Sequence, residues 1–355
     1  SIDSKVQFFA YQKLRDAVQE HKAKAGSVVV LDAQTGEVLA LANYPSYSPD
    51  KRVNLSGEQL RNRALTDTFE PGSTMKAVTA ATAIDTGKAS PTTRVIAPFK
   101  LSFDWGGYIK DSEKHPTMKL TLAGVLRDSS NTGIVKIGET IPRSTRVAYM
   151  KKFGFSTRTS LDMIGESGGM LGDTKNWDLQ TDKNSMFGQG VAVTSIQMAY
   201  AYQAIANGGV RLSPQLFESC TAADGTVSKF KVGDPVRVIS EGTARSTVDM
   251  LEKVVEQGHI GMTAAIAGYR VGGKSGTAQI KQGNRYGYLH AISFIGMAPA
   301  EDPKYVVAVM LYKSRRTSSS IGATPIFKQI MQQTLRAYRV PPSTSKSKNI
   351  PTEWK

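Results

Sequence analysis

The sequence predicts a mixed α/β fold, in which a five-stranded antiparallel sheet is flanked by helices and joined to a mostly helical lobe. Two β-rich runs stand near the start of the 355-residue chain, three more stand in its last third, and helical patterns fill most of the region between them. If all five runs join one sheet, the terminal helices would cover one face and the middle would form a second lobe. We expect a functional site in the cleft between the lobes.

The first elements are a helix and a hairpin. Apolar residues recur at helical spacing over residues 3–22, directly after Asp3, a residue type that caps helices. Ser27–Asp32 and Glu37–Asn43 are apolar, β-rich runs on either side of a short polar turn, which predicts a hairpin. Residues 44–56 contain two prolines and predict a loop.

The remaining elements follow from the same signals. In the middle of the chain, the pattern predicts irregular structure over 90–116 and a helix over Thr117–Ser129. Helices alternating with Gly-rich loops are predicted over 142–206, and longer helices over Thr194–Asn207 and Ser240–Gln257. The last third predicts strands over Tyr269–Ile280, Ala291–Ala298 and Lys304–Tyr312, then a helix over Thr324–Tyr338 with Pro325 in its first turn. Residues 340–355 carry almost no apolar side chains, which predicts a flexible C-terminal tail.

A serine and a lysine stand at the head of another predicted helix. Ser73-Thr-Met-Lys76 opens an apolar run that continues to Asp85 and that Gly87 would end as a C-cap. Residues three apart lie on one helix face, so the hydroxyl and the amine would be neighbours. Serine is a weak nucleophile until a base takes its proton, and burial lowers the pKa of a lysine until it can be that base.

The Ser-x-x-Lys spacing alone is weak evidence of catalysis. It recurs at Ser48–Lys51, Ser228–Lys231, Ser343–Lys346 and Ser345–Lys348, and only the Ser73 copy opens a predicted helix. For a short motif of this kind, a capping serine beside a solvated lysine is the simpler interpretation.

Two further motifs change that interpretation. Ser129-Ser130-Asn131 supplies Ser-x-Asn, and Lys274-Ser275-Gly276-Thr277 supplies Lys-Ser-Gly within a predicted strand. Ser-x-x-Lys, Ser-x-Asn and Lys-Ser-Gly, in that order, form the active-site signature of penicillin-binding proteins and serine β-lactamases. A second Ser-x-Asn, Ser347–Asn349, follows the Lys-Ser-Gly motif and has the wrong order.

Over residues 1–338 the chain resembles the class B penicillin-binding proteins, and among them the division-specific peptidoglycan D,D-transpeptidases. The similarity is carried by Arg61–Ser73, by the hairpin, and by Phe187-Gly-Gln-Gly190 with Val193–Gln197. The family usually has proline where this chain has Ser195.

The resemblance implies the penicillin-recognising serine transpeptidase fold. The transpeptidase domain would span residues 1–339, with a sheet lobe from about 1–45 and 264–339, a helical lobe from about 60–263, and the tail 340–355 beyond it. Gly188 and Gly190 would belong to a wall of the cleft, although backbone packing alone also explains glycines there.

The resemblance also implies an acyl transfer that uses neither metal nor cofactor. Ser73 would attack the terminal D-Ala-D-Ala peptide bond of a peptidoglycan stem peptide, and Lys76 would take its proton. Ser129 would pass a proton to the leaving D-Ala nitrogen, while Asn131 would hold Lys76 and the substrate amide. Ser129 and Asn131 also suit an ordinary turn.

The Lys-Ser-Gly strand would bind the terminal carboxylate of the substrate. Lys274 would supply positive charge and Ser275 and Thr277 would supply hydroxyl groups, with Gly276 between them as a substrate-binding residue or a strand bulge. Backbone N–H groups of Ser73 and Thr277 would form the oxyanion hole. β-Lactam antibiotics would acylate the same serine.

Two other functions remain open on the same scaffold. One is hydrolysis, by a DD-carboxypeptidase or a β-lactamase. Class A β-lactamases carry Glu-x-x-Leu-Asn, whose glutamate activates the deacylating water. None of the glutamates between Ser129 and Lys274 begins this motif: Glu139, Glu166, Glu218, Glu241, Glu252 and Glu256. The other is a β-lactam sensor or an idle scaffold, which the intact motifs argue against.

Composition and charge limit which binding partners and which cellular location suit the chain. The formal net charge of +15 fits anionic cell wall and phospholipid headgroups, and no nucleic-acid-binding motif is present. No apolar run approaches the length of a membrane helix, Cys220 is the only cysteine, and the four histidines lack metal-ligand spacing. The resemblance implies anchoring at the extracytoplasmic face of the cytoplasmic membrane by an N-terminal helix outside this sequence. It also implies a septal glycosyltransferase and divisome proteins as partners.

Overall fold

The computed structural model describes residues 1–161, 163–230, 232–282, 285–316 and 319–355. The helices within them are α1 (Ser4–Glu20), α2 (Gly57–Leu60), α3 (Arg63–Thr66), α4 (Met75–Asp85), α5 (Leu122–Arg127), α6 (Asn131–Gly138), α7 (Arg143–Lys152), α8 (Leu179–Ser185), α9 (Ser195–Ala206), α10 (Glu241–Gln257) and α11 (Thr324–Ala337). Short 3-10 turns cover Gly72–Thr74, Gly261–Ala264 and Ser320–Gly322.

In the described parts of the chain, the strands form one large sheet and four small ribbons. They are β1 (Ala25–Asp32), β2 (Val38–Tyr44), β3 (Arg94–Ala97), β4 (Lys100–Ser102), β5 (Tyr108–Lys110), β6 (Met118–Thr121), β7 (Val210–Arg211), β8 (Ser219–Thr221), β9 (Val227–Lys229), β10 (Val236–Arg237), β11 (Gly272–Gln282), β12 (Arg285–Ala298) and β13 (Tyr305–Ser314). The large sheet has the order β11-β12-β13-β1-β2, and every neighbouring pair is antiparallel. The five-stranded antiparallel sheet predicted from the sequence is therefore confirmed.

Both faces of this sheet are buried. Val28 and Val30 belong to a core cluster that also contains Leu14 of α1 and Phe327 of α11. Val29 and Leu31 alternate with them and point the other way, into the cluster that includes α4, α9 and α10. A strand covered on both sides has no polar face, which explains why β1 is a continuous apolar run. The boundaries of the two lobes stay a prediction.

The region between the Ser73 helix and the Ser-x-Asn motif differs from the prediction. Residues 90–116, expected to be irregular, contain β3, β4 and β5, and the helix expected over Thr117–Ser129 is strand β6 followed by the shorter α5. The reason is tertiary pairing: β6 pairs with β3, which places Arg94 opposite Thr121. The Thr121 side chain then accepts from Gly124 N, so the helix begins only at this point.

Residues 340–355, predicted to form a flexible tail, contact distant segments of the chain. Ser343 N donates to Gly268 O at 2.9 Å, and Lys348 Nζ contacts the Asp249 carboxylate at 2.6 Å. Farther along, Trp354 donates its backbone N–H to Lys119 O and its indole N–H to Leu120 O. Hydrogen bonds and ion pairs to distant segments hold the tail, and its own composition gives no sign of them.

Candidate active site

The nucleophile candidate, Ser73, lies in the 3-10 turn Gly72–Thr74 that leads into α4. Gly72 has φ +54°, and a Cβ atom on it would lie 2.8 Å from Thr277 O. Gly188 approaches from the other side, because its carbonyl accepts from Gly72 N at 3.0 Å and a Cβ on Gly188 would lie 2.3 Å from Gly72 O. Close packing of backbone therefore requires both glycines and fixes the serine beside β11.

Lys76 makes short polar contacts with the nucleophile candidate and with the Ser-x-Asn motif. Its side chain is fully buried, and Nζ lies 2.7 Å from Ser73 Oγ, 2.7 Å from Ser129 O and 2.6 Å from Asn131 Oδ1. The Asn131 amide is oriented by its Nδ2, which donates to Lys110 O at 2.9 Å. Two carbonyl oxygens, which can only accept, take both hydrogens of a neutral amine. The lone pair is then left for the Ser73 hydroxyl.

The electrostatics favour that neutral form. Burial, aided by the nearby positive charge of Lys274, holds the pKa of Lys76 well below its usual value, while the negative charge of Asp111 opposes the shift. Burial also lowers the pKa of Lys274 to about 7, with Asp128 opposing it. Lys274 is therefore adjusted toward proton exchange near neutral pH, and the lowered pKa of Lys76 favours its neutral form.

Ser129 joins the two lysines. Its hydroxyl lies 3.2 Å from Lys76 Nζ and 3.0 Å from Lys274 Nζ. Its φ of +58° is in the left-handed region, which costs a non-glycine residue about 1–2 kcal/mol. Ser129 follows the C-cap of α5, and Ser129 N donates to Leu126 O while Ser130 N donates to Val125 O, so this conformation is that of a Schellman helix end. The same helix end places the carbonyl and the hydroxyl of Ser129 beside Lys76.

Sequence reasoning missed Asp111, which supports the Ser-x-Asn turn. The buried carboxylate accepts from Asn131 N at 2.5 Å, from Thr132 N at 2.9 Å and from Ser130 Oγ at 2.7 Å, and it also contacts His115 Nε2 at 3.0 Å. It thus holds the first turn of α6 and with it Asn131. No motif marks Asp111 as a site residue, because it follows a short strand in a stretch expected to be irregular.

The Lys-Ser-Gly motif lies on β11 at the edge of the sheet. Lys274 is fully buried, Ser275 is half-buried and Thr277 is exposed. Gly276 pairs in regular register with Ser293, so it is not at a bulge. A Cβ on Gly276 would lie 2.5 Å from Ser293 Oγ and 3.0 Å from Pro71 O, so the glycine allows the strand to approach the nucleophile turn. The structure therefore brings the predicted site residues together beside the edge strand β11.

The family profile of the penicillin binding protein transpeptidase domain matches residues 26–332. The chain belongs to this family. It is 35% identical over 354 residues to penicillin-binding protein PbpB of Mycolicibacterium smegmatis, an alignment that covers 96% of this chain and 54% of that protein. It is 36% identical over 349 residues to peptidoglycan D,D-transpeptidase FtsI of Escherichia coli K12, with 96% and 56% covered. The chain thus spans about half the length of these curated relatives.

A solved structure agrees with the family assignment. The crystal structure of penicillin binding protein 3 from Mycobacterium tuberculosis, complexed with aztreonam, superimposes with a TM-score of 0.92 at 33% identity and covers 100% of this chain and 81% of that one. The predicted resemblance to the class B penicillin-binding proteins and the transpeptidase fold that it implies are confirmed.

The departure at Ser195 has a local explanation within this penicillin-binding protein fold. Ser195 is the first residue of α9, directly after the cap Thr194. Proline is favoured at that position because its missing N–H is not needed there. A serine fits equally well, and its hydroxyl lies 2.7 Å from Ser27 Oγ of β1.

Proposed function

We propose that this chain is a serine-type D,D-transpeptidase domain that cross-links peptidoglycan through an acyl-enzyme on Ser73. The observation that carries the proposal is the buried amine of Lys76, 2.7 Å from Ser73 Oγ, with two carbonyl oxygens to take its hydrogens. The D,D-transpeptidase name of the Escherichia coli relative supports the reaction, and the aztreonam complex of the mycobacterial protein supports the inhibitor class.

In the acylation step Ser73 Oγ attacks the carbonyl carbon of the D-Ala-D-Ala peptide bond while its proton passes to Lys76 Nζ. Negative charge then develops on the carbonyl oxygen. Backbone N–H groups of Ser73 and Thr277 are the proposed donors to it, and losing one such donor typically costs about 2.7–4 kcal/mol of transition-state stabilisation.

The leaving group needs a proton before the peptide bond breaks. Ser129 is the proposed donor to the D-Ala nitrogen, and it regains a proton from Lys76 Nζ, 3.2 Å from its hydroxyl. Lys274, 3.0 Å from the same hydroxyl, stabilises the charge that appears on Ser129 during the transfer. An acceptor amine then attacks the acyl-enzyme, and the same groups work in reverse.

Substrate orientation is assigned to β11 and to Asn131. Lys274 with the hydroxyls of Ser275 and Thr277 would bind the terminal carboxylate, since a charge-assisted hydrogen bond is the strongest contact that a carboxylate makes with side chains. Asn131 would bind the substrate amide as well as Lys76. A β-lactam presents a carboxylate or its equivalent beside a strained amide and would acylate Ser73 by the same route.

We also propose that the domain acts in septal wall synthesis at the extracytoplasmic face of the cytoplasmic membrane, with divisome proteins as partners. The resemblance to division-specific transpeptidases supports this setting, and the net charge of +15 suits an anionic surface. In the part of the chain that the structure describes, no helix is both long and apolar enough to cross a membrane.

Mass spectrometry after incubation with benzylpenicillin tests the proposal. We expect one penicillin to be added to the peptide that contains Ser73, and none in Ser73→Ala. The matched control is Ser48→Ala, which removes the serine of another, exposed Ser-x-x-Lys copy and should leave the adduct in place. A chain that remains unlabelled, or a Ser73→Ala variant that is still labelled, contradicts the proposed function.

A further inference from the structure

A buried serine contacts the Lys-Ser-Gly segment of β11. Ser320, in the 3-10 turn before α11, is 1% exposed. Its Oγ donates to Gly276 O at 2.6 Å and lies 2.8 Å from Thr277 Oγ1. One hydroxyl thus contacts the Thr277 side chain, proposed to bind the substrate carboxylate, and the Gly276–Thr277 peptide group, whose N–H is proposed to bind the oxyanion.

The direction of these hydrogen bonds follows from counting hydrogens. A serine hydroxyl has one hydrogen, and a backbone carbonyl can only accept. Because Ser320 donates its hydrogen to Gly276 O, Thr277 must be the donor in the contact between the two hydroxyls. In the unliganded protein, Thr277 therefore has no hydrogen left to offer to a carboxylate.

The same contact orients the proposed oxyanion donor. The N–H of Thr277 belongs to the peptide group whose carbonyl is Gly276 O, and in a trans peptide these two groups point in opposite directions. Ser320 Oγ at 2.6 Å and Ser293 Oγ at 3.4 Å hold that carbonyl from behind. The N–H therefore faces away from them. A hydrogen bond to the carbonyl also polarises the amide and strengthens the N–H as a donor.

We propose that Ser320 is a positioning residue that aims the Thr277 N–H at the oxyanion and holds the Thr277 hydroxyl until a carboxylate binds. This rests on the proposed function. Before a ligand binds, Ser320 accepts the Thr277 hydrogen. When a carboxylate arrives, Thr277 turns that hydrogen to the anion, while Ser320 continues to donate to Gly276 O and keeps the Thr277 N–H aimed at the oxyanion.

This role has a kinetic signature that a merely structural serine lacks. Ser320→Ala removes the donor to Gly276 O, so acylation should slow, but it also frees the Thr277 hydrogen, so carboxylate binding should not weaken. A neutral hydrogen bond of this kind corresponds to a change of about two- to tenfold in the acylation rate constant.

Stopped-flow acylation of the whole chain by a chromogenic cephalosporin separates the dissociation constant from the acylation rate constant. In Ser320→Ala we expect the rate constant to fall about two- to tenfold while the dissociation constant is unchanged or smaller. Ser320→Thr, which keeps a hydroxyl, should recover most of the rate. The control is Thr334→Val, which removes another buried hydroxyl, bonded to Ile330 O on α11, and should change neither constant.

The Thr277→Val background separates the two contacts of Ser320. The effect of Ser320→Ala on the rate constant should persist there, because the contact with Gly276 O remains. Three results would each overturn this inference and leave the proposed function intact. They are an unchanged rate constant in Ser320→Ala, a larger dissociation constant with an unchanged rate constant, and an effect of Ser320→Ala that disappears in the Thr277→Val background. A wild-type chain that forms no acyl-enzyme at all overturns both.

Discussion

Lys76 Nζ lies 2.7 Å from Ser73 Oγ at the centre of a site in which the lysine side chain is fully buried. The one-turn spacing places the two groups together, and the packing of α4 keeps water from the amine. An ammonium group is costly to bury, so the environment favours the neutral amine that the proposed mechanism needs. The relationship between these two residues is therefore the first to test.

Lys76→Ala should lower the rate of penicillin acylation at least about a hundredfold, because a positioned general base contributes typically 10²–10⁴-fold. Lys76→Arg should do the same, since a guanidinium stays protonated in proteins. Labelling by a fluorescent penicillin over time measures the rate. Lys51→Ala, from the exposed Ser48–Lys51 copy, is the matched control and should label normally. Normal labelling of the Lys76 variants would assign the base elsewhere.

Lys274→Ala should slow acylation by a carboxylate-bearing penicillin more than acylation by the methyl ester of the same compound. A hydrogen bond to a charged group contributes about 1.5–3 kcal/mol, which corresponds to a change of roughly ten- to a hundredfold in rate. The comparison of acid and ester isolates the contact with the carboxylate. Equal losses for both compounds would mean that Lys274 acts only through Ser129.

The lowered pKa of Lys274 also predicts how stability depends on pH. It is about 7 in the folded protein, whereas an unfolded lysine has a pKa of about 10.4. Between these values the unfolded chain binds a proton that the folded chain does not, so the free energy of unfolding rises with pH. Below about pH 7 both states are protonated, and the folded state then carries the full cost of the buried charge.

Replacing Lys274 by methionine should therefore stabilise the protein most below about pH 7, and this advantage should shrink as the pH rises toward 10. Urea unfolding of both proteins at pH 6 and pH 9 measures the difference. An advantage of the same size at both pH values would show that Lys274 is not titrating in this window.

The large sheet was predictable because its strands can be recognised from their own composition. A strand such as β1 or β13, buried on both faces, is a continuous apolar run, and such runs stand out whatever their partners. The short strands β3 to β6 do not, because they depend on pairing rather than on their own composition: β3 pairs with β6 at Arg94 and Thr121, and β4 pairs with β5 at Lys100 and Lys110.

The candidate site was predictable in its residues but not in its supports. Three motifs in order identify Ser73, Lys76 and Lys274 without any structure. Asp111 and Ser320 lie outside every motif, and they matter only because folding brings each to within 3 Å of a motif residue. A single sequence records which side chains are present, but not which buried carboxylate or hydroxyl meets them.

The contacts of the C-terminal tail can be tested directly. The Trp354 indole donates to Leu120 O at 3.0 Å and lies near the cations of Arg94 and Lys119. Trp354→Ala should lower the free energy of unfolding by about 1–3 kcal/mol, as expected for a lost hydrogen bond and lost cation–π contacts. Chemical denaturation measures it. A change within about 0.5 kcal/mol is typical of a free surface residue and would restore the flexible tail.

The last prediction concerns the lifetime of the acyl-enzyme, which distinguishes a transpeptidase from a hydrolase. Rapid hydrolysis needs a base that activates water beside the acyl group. The carboxylate of Asp111 already accepts from Ser130, Asn131 and Thr132 behind the Ser-x-Asn turn. Glu70 Oε1 accepts from Gly190 N. The sequence also lacks the Glu-x-x-Leu-Asn motif by which class A β-lactamases activate water.

The penicilloyl group on Ser73 should therefore persist for many minutes to hours, because the opened ring stays attached and blocks the approach of an acceptor. Labelling with a fluorescent penicillin, followed by a chase with unlabelled drug, measures the loss of bound signal. A class A β-lactamase treated in the same way serves as the comparator and should lose its label at once. If this chain also releases the label rapidly and produces penicilloic acid in molar excess over protein, its reaction is hydrolysis, and water rather than an amine is its acceptor.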